Sequence, residues 1–355
     1  MHTDKSVIGE KSVDNSESAA DAIARAKRLI RHYYAALDKA DGPQLADAMV
    51  RFCAEDLVWR GFHPFNELTG PRAVADQFWT PLKSALRHMQ RRMDLFFAGR
   101  NEIDGFQSVW VASMGHLMGL FDRPWLGIPP TRRIAMLRYA AFHKIEGDRI
   151  VETAMFFDIP HLMVQAGLHP FPPQTAAHLV QPGPMTHDGL LFDEQPPDEG
   201  RRTLAAIDFM LNDVATWKNP DEIALVDELR RSWNEDMIWW GPEGIGATYT
   251  LERYAEQHSG PFRAAFRDRR FNGHLCRMAE GRFGGFFGWP NLTLTPTGGF
   301  MGMPGSDRPG DMRVIDMYRR DGDKLSENWI FIDLLHFWKQ QGLDVLDRMQ
   351  SLSGR

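Results

Sequence analysis

Cysteine is almost missing. Cys53 and Cys276 are the only two in 355 residues, there is no CxxC pair, and no histidine stands at ligand spacing beside either. The chain therefore offers neither a disulfide framework nor a zinc cluster, and no metal or organic cofactor is expected. Long apolar runs are missing too: no stretch approaches 18 uninterrupted apolar residues, so no membrane partner is expected. The opening residues, MHTDKSVIGEKSVDNSESAADA, are polar and acidic where a secretory signal would carry an apolar core, which points to a cytoplasmic protein. The charge is only −6 and no Lys/Arg-rich run occurs, so nucleic acid is not an expected partner.

What is present is a repeat. Residues 147–168 read GDRIVETAMFFDIPHLMVQAGL and residues 322–343 read GDKLSENWIFIDLLHFWKQQGL, coinciding at nine positions without a gap. Each copy has a Gly-Asp turn, an apolar strand, an Asp placed to cap a short helix (Asp158, Asp333) and a closing Gly. Asp56-Leu57-Val58-Trp59-Arg60-Gly61 also matches Asp236-Met237-Ile238-Trp239-Trp240-Gly241, and Gln77 and Pro81 match Gln257 and Pro261. With 43% hydrophobic and 25% charged residues, the chain can bury two ordinary cores. Two domains of one fold are expected.

In chain order, residues 1–21 have the composition of a disordered tail. Apolar residues at helical spacing from Ala22 to Leu37 and a second helix from Gln44 to Cys53 precede any strand. A loop, a proline-initiated helix near Pro71 and a run of strands from about Arg91 follow, so the class is α+β. The first domain is placed at 22–170, a proline-rich linker at 171–202 and the second domain at 203–350.

These motifs resemble the SnoaL-like polyketide cyclases of the nuclear-transport-factor-2-like superfamily: DLVW…LTGPRAVADQF, the GIPPTRR turn, and GDRIVE…D…QAGL, with both halves covered. The resemblance implies two cone-shaped domains, each with helices leaning on a curved antiparallel sheet around a mostly apolar pocket. It implies aldol-type ring closure of a polyketide-like substrate without a cofactor. Fusion of two such domains implies an internal imitation of a dimer, with further assembly by symmetry open to it. One departure stands out. The family's acid/base Asp, three residues before the helix cap, is replaced by Met155 and Ile330, and the His often found two residues ahead of it by Thr153 and Asn328.

Strand alternation puts Thr153, Met155 and Phe157 on one face, and Asn328, Ile330 and Ile332 on the corresponding face of the second copy. Asn328 is expected either to donate to a substrate carbonyl or enolate oxygen or to bond a neighbouring strand. His63, in the loop HPFNEL, is a candidate base rimming the first pocket, against a loop-ordering role. His258 and His274 are candidate catalytic residues, expected with the substrate-binding candidate Trp289 to line one cavity with Trp239 and Trp240. Trp59, His116 and Met155 are candidates for substrate contact in the first half, with a surface position the alternative for His116. Arg138 and Arg313 recur at equivalent positions and are read as outer or interface residues, paired with the recurring Glu152 and Glu327.

The leading reading is a cofactor-independent enzyme using acid/base chemistry on an apolar, carbonyl-bearing substrate. The alternatives are a non-catalytic binding or scaffold protein with degenerate pockets, and an ester or epoxide hydrolase on the same fold.

Overall fold

The computed structural model describes residues 19–174, 176–177, 182–215 and 223–353. The expected disordered tail falls mostly outside the described residues, and Ala19 already begins the first helix.

The first half runs α1 (Ala19–Lys39), α2 (Gln44–Phe52), β1 (Cys53–Gly61), β2 (Glu67–Thr69), α3 (Pro71–Val74), a π-helical turn (Ala75–Trp79), α4 (Thr80–Ala85), β3 (Leu86–Arg100), β4 (Val109–Phe121), β5 (Ile134–Glu146), β6 (Arg149–Phe157) and α5 (Ile159–Gln165). The second repeats the plan: α6 (Pro197–Ala215), α7 (Leu225–Leu229), β7 (Trp233–Trp240), β8 (Ala247–Tyr249), α8 (Leu251–Tyr254), a π-helical turn (Ala255–Ser259), α9 (Gly260–Ala265), β9 (Phe266–Phe271), β10 (Cys276–Glu280), β11 (Phe283–Pro296), β12 (Gly310–Asp321), β13 (Lys324–Ile332), α10 (Leu334–Gln340) and α11 (Val345–Ser353). Helix α6 starts inside the stretch read as linker. Another part of that stretch packs on the first sheet, where Leu191 N–H donates to Phe96 O at 2.8 Å. Among the described residues no helix is long and apolar enough to cross a membrane.

The strand orders are the same in the two sheets, β2-β1-β6-β5-β4-β3 and β8-β7-β13-β12-β11-β10, with β9 also pairing β11. Neither sheet is purely antiparallel, because β1 runs parallel to β6 and β7 parallel to β13. The repeated Trp-x-Gly has a local cause. An added Cβ on Gly61 would collide with the Trp59 ring, and one on Gly241 with the Trp239 ring, so each cone wall needs glycine where the indole folds back.

The outer faces of the two sheets pack on each other. Phe97, Trp110, Phe142 and Phe156 of the first half share a buried cluster with Phe287, Met317, Trp329 and Phe331 of the second. The seam is reciprocal. Asp158 caps α5 by accepting from His161 N–H and also accepts from Glu243 N–H at 3.0 Å. Asp333 caps α10 by accepting from His336 N–H and also accepts from His63 N–H at 2.9 Å. Each cap thus holds its own helix and a loop of the other half, which is why it is Asp in both copies.

Candidate active site

The two interiors differ. In the first half Phe78, on the π-helical turn, lies 4.7 Å from Phe157 and 5.1 Å from Trp59 between ring centroids, with Trp79 and Trp125 packed against it. The polar groups inside form a closed chain: Tyr34 Oη to His143 Nε2 at 2.7 Å, and His143 Nδ1 to Thr153 Oγ1 at 2.9 Å. In the second half a cavity of about 420 Å³ opens where those groups would be.

Its creation can be read position by position. The second π-helical turn carries His258 and Ser259 where the first carries Phe78 and Trp79, and the sheet carries Val314 and Ile332 where the first has Tyr139 and Phe157. Loss of that much ring volume without compensation leaves space in an interior otherwise packed like an organic crystal. The wall also opens at one edge. Residues 272–275 separate β9 from β10, and the register of β11 against β12 shifts between Gly288 and Leu292. The corresponding β3 runs through 15 residues.

The chemistry centres on Asp316 of β12, buried with 7% of its surface exposed. It pairs in register with Ile330 while Tyr318 pairs with Asn328, so β12 and β13 put Asp316, Tyr318, Asn328 and Ile330 on the cavity wall. Asn328 Nδ2 donates to Asp316 Oδ1, and also to Met317 O at 3.0 Å. Burial pushes the Asp316 carboxyl up to about 7, against the opposing hydrogen bonds from Asn328 and Tyr318 and the positive charge of Arg138. A carboxylate poised near neutrality inside an apolar cavity can take and return a proton.

His258 and His274 line the same cavity. His258 stacks on Trp239 with centroids 3.8 Å apart, and His274 on Phe286 at 3.9 Å. Burial lowers each to about 3, with the Arg277 charge adding to the effect at His274, so both imidazoles are neutral near pH 7.

Of the residues singled out from sequence, His258, His274, Asn328, Trp239 and Ile330 converge on this cavity. Of the two expectations for Asn328, the bond to a neighbouring strand is the one observed and the donation to a substrate oxygen is not: Nδ2 is spent on Asp316 and Met317 O of β12, where it positions the carboxylate. Trp240 and Trp289 are also corrected. Trp240 points to the opposite sheet face and joins the seam cluster. Trp289 sits in the seam, 5.7 Å from Phe156 and 3.9 Å from the Arg313 guanidinium. His63 does not rim the first interior: its backbone binds the Asp333 cap and its Nε2 lies 3.5 Å from Lys339 Nζ. His116 is buried rather than on the surface, its Nδ1 3.1 Å from Asp94 Oδ2, near the seam and away from the core that holds Trp59 and Met155.

Arg138 and Arg313 are seam residues. Arg138 donates to Ile330 O at 3.0 Å and Trp240 O at 3.2 Å, and Arg313 to Asn66 Oδ1 at 2.8 Å. Neither pairs with the recurring glutamates: Glu152 binds Arg60, and Glu327 accepts from Met185 N–H. Asp316 and Tyr318 lie on β12, outside the repeated last strand that yields the other candidates. Their signal was an Asp in RVIDMY where the first half reads RYAAFH.

The fold is that of two tandem α+β domains of one construction, the second of them hollow. Family models match both, the SnoaL-like domain over residues 30–153 and the SnoaL-like polyketide cyclase over residues 224–341. The chain therefore belongs to the SnoaL-like family, as two tandem copies. Comparison with curated proteins returned no match. Solved structures similar to it include IdmH from Streptomyces antibioticus, described as a candidate polyketide cyclase (17% identity over 40% of this chain and 99% of that one, TM-score 0.33). A second candidate polyketide cyclase, from Xanthomonas campestris, is 22% identical over 40% of this chain and 96% of its own (TM-score 0.32). An NTF2-like protein from Burkholderia thailandensis is 18% identical over 40% and 96% (TM-score 0.30).

Proposed function

We propose that the second domain is a cofactor-independent enzyme performing aldol-type cyclisation of an apolar, carbonyl-bearing substrate, with the first domain as its scaffold. The observation that carries this reading is the buried Asp316 carboxyl, at about 7, in a cavity of about 420 Å³. Ionised Asp316 takes a proton from a carbon flanked by carbonyls. The resulting carbanion attacks a second carbonyl of the same molecule, a C–C bond forms, and the new alkoxide takes its proton back from Asp316, so the enzyme ends unchanged. Asn328 and Tyr318 hold the carboxylate, and neutral His258 is the donor to the developing enolate oxygen. Asp316 takes the place of the acid/base Asp that both copies lack on the last strand.

The test is turnover of β-keto ester and polyketide model compounds by wild type and Asp316→Asn, with products resolved by mass. Ring closure by wild type and loss of about 10²–10⁴-fold in kcat in the variant are expected. Equal rates would remove Asp316 from the mechanism. Ester cleavage without ring closure would reassign the reaction to hydrolysis.

A further inference from the structure

Much of the cavity wall is apolar or already partnered, its three arginines included: Arg263 is held by Glu228, Arg277 by Glu102 and Asp208, and Arg269 donates to Ala215 O. His274 is 7% exposed and Asn291 8% exposed, both line the cavity, and although the two side chains lie close enough to interact weakly with each other, no well-formed hydrogen bond among the described residues reaches either ring nitrogen of His274 or Oδ1 of Asn291. Buried polar atoms are nearly always paired, so three orphans at one spot are a cost that a ligand would relieve. The backbone keeps them there. Asn272 N–H donates to Asn291 O and Leu275 N–H to Phe287 O, both at 2.9 Å, bracing the break between β9 and β10 against β11. His274 also stacks on Phe286, the register partner of Asp316, so this polar spot lies one strand across from the carboxylate.

The chemistry of the spot selects its guest. A neutral imidazole offers one N–H and one lone pair, and an amide oxygen offers only acceptance. A carboxylate or phosphate, all acceptor, would face the amide oxygen unfavourably, and a bare hydrocarbon would leave all three atoms unpaired. A hydroxyl, donor and acceptor at once, satisfies the set. We infer that His274 and Asn291 form a hydroxyl-recognising subsite, one that takes a hydroxyl of the ligand of the second cavity in preference to the bare C–H of an otherwise equal ketone. The inference rests on the second cavity being the ligand site, as proposed above, but not on Asp316 being the base.

The experiment is calorimetric titration of the full chain with 6-hydroxy-1-tetralone and with 1-tetralone, for wild type, His274→Phe, Asn291→Leu and Asp316→Asn. Phe at position 274 keeps the stack on Phe286 and removes only the nitrogens, so that variant is expected to fold. Wild type should prefer the hydroxylated ketone by about 10-fold or more, since a site built to bond a hydroxyl rejects the analogue lacking it. The preference should collapse in His274→Phe, fall in Asn291→Leu and persist in Asp316→Asn. Equal affinity of wild type for both ketones, a preference unchanged in His274→Phe, or one lost only in Asp316→Asn would overturn the subsite while leaving the cavity as the binding site. No heat with either ketone up to its solubility limit would overturn the cavity reading and the subsite together.

Discussion

Where the first sheet places Ala141, His143 and Thr153, the second places Asp316, Tyr318 and Asn328, at the same register and on the same face. In the first half the histidine is consumed between Tyr34 and Thr153 and the surrounding rings fill the cone. In the second the tyrosine and asparagine turn toward a carboxylate, and the rings that would cover it are smaller. One scaffold thus spends its polar interior on stability in one copy and exposes it to a cavity in the other. A duplicated fold can thus turn one copy toward packing while the other keeps the costly groups, because the halves meet through outer sheet faces, helix caps and strand edges rather than through their interiors.

The largest expected effect lies at Asp316. Beyond the kinetic loss given above, the rate should rise with pH through about 7 as the carboxyl ionises. The same carboxyl makes a stability prediction. Its folded value lies above the ordinary 3.8, so its contribution is full below about pH 4 and is lost as pH rises toward 7. Asp316→Asn should therefore melt higher than wild type at pH 8, by about 1–3 kcal/mol, with the advantage vanishing at pH 4, as read by calorimetry.

The paired glycines separate the two halves next. Gly61→Ala and Gly241→Ala each push a side chain into a tryptophan ring, at a cost of about 1–3 kcal/mol in chemical denaturation. Only Gly241→Ala should also weaken ligand binding, because Trp239 carries the stack on His258.

His143 offers the converse. Removing it as His143→Gln should cost about 1–3 kcal/mol by leaving Tyr34 and Thr153 unpaired, with ligand affinity unchanged. Burial holds this histidine near 3, so the unfolded chain takes a proton below pH 6.5 that the folded one refuses. Wild type should lose stability as pH falls from 6.5 toward 3, and the variant should lose less.

Two smaller effects remain. Replacing Arg138, whose charge opposes the upward shift at Asp316 from across the seam, should move the pH–rate midpoint upward in Arg138→Gln. His274→Phe should gain about 1 kcal/mol in stability by removing orphaned nitrogens while losing the hydroxyl preference, a split that a purely structural residue would not produce.

Much of the fold was legible because it rests on local signals. The Gly-Asp turns, the capping aspartates and the Trp-x-Gly walls each follow from backbone geometry within a few residues, and their recurrence exposes two copies. Part of the site was legible for the same reason: alternation along β13 puts Asn328 and Ile330 on the cavity face without knowledge of the neighbouring strand. Which cone would be hollow was also written in the chain, in His258 and Ser259 against Phe78 and Trp79, although it is visible only when the copies are laid side by side. Contacts across strands and across the seam were not legible. That Trp240 and Trp289 face the other half, that His63 binds a helix cap 270 residues away, and that Nδ2 of Asn328 is spent on Asp316 all depend on register and on sheet packing. Periodicity reports a face but not a partner. The sequence alone thus determined two cones of one construction, and the tertiary structure decided which interior stays open and which carboxylate faces it, because those outcomes depend on volumes and hydrogen bonds summed over strands far apart in the chain.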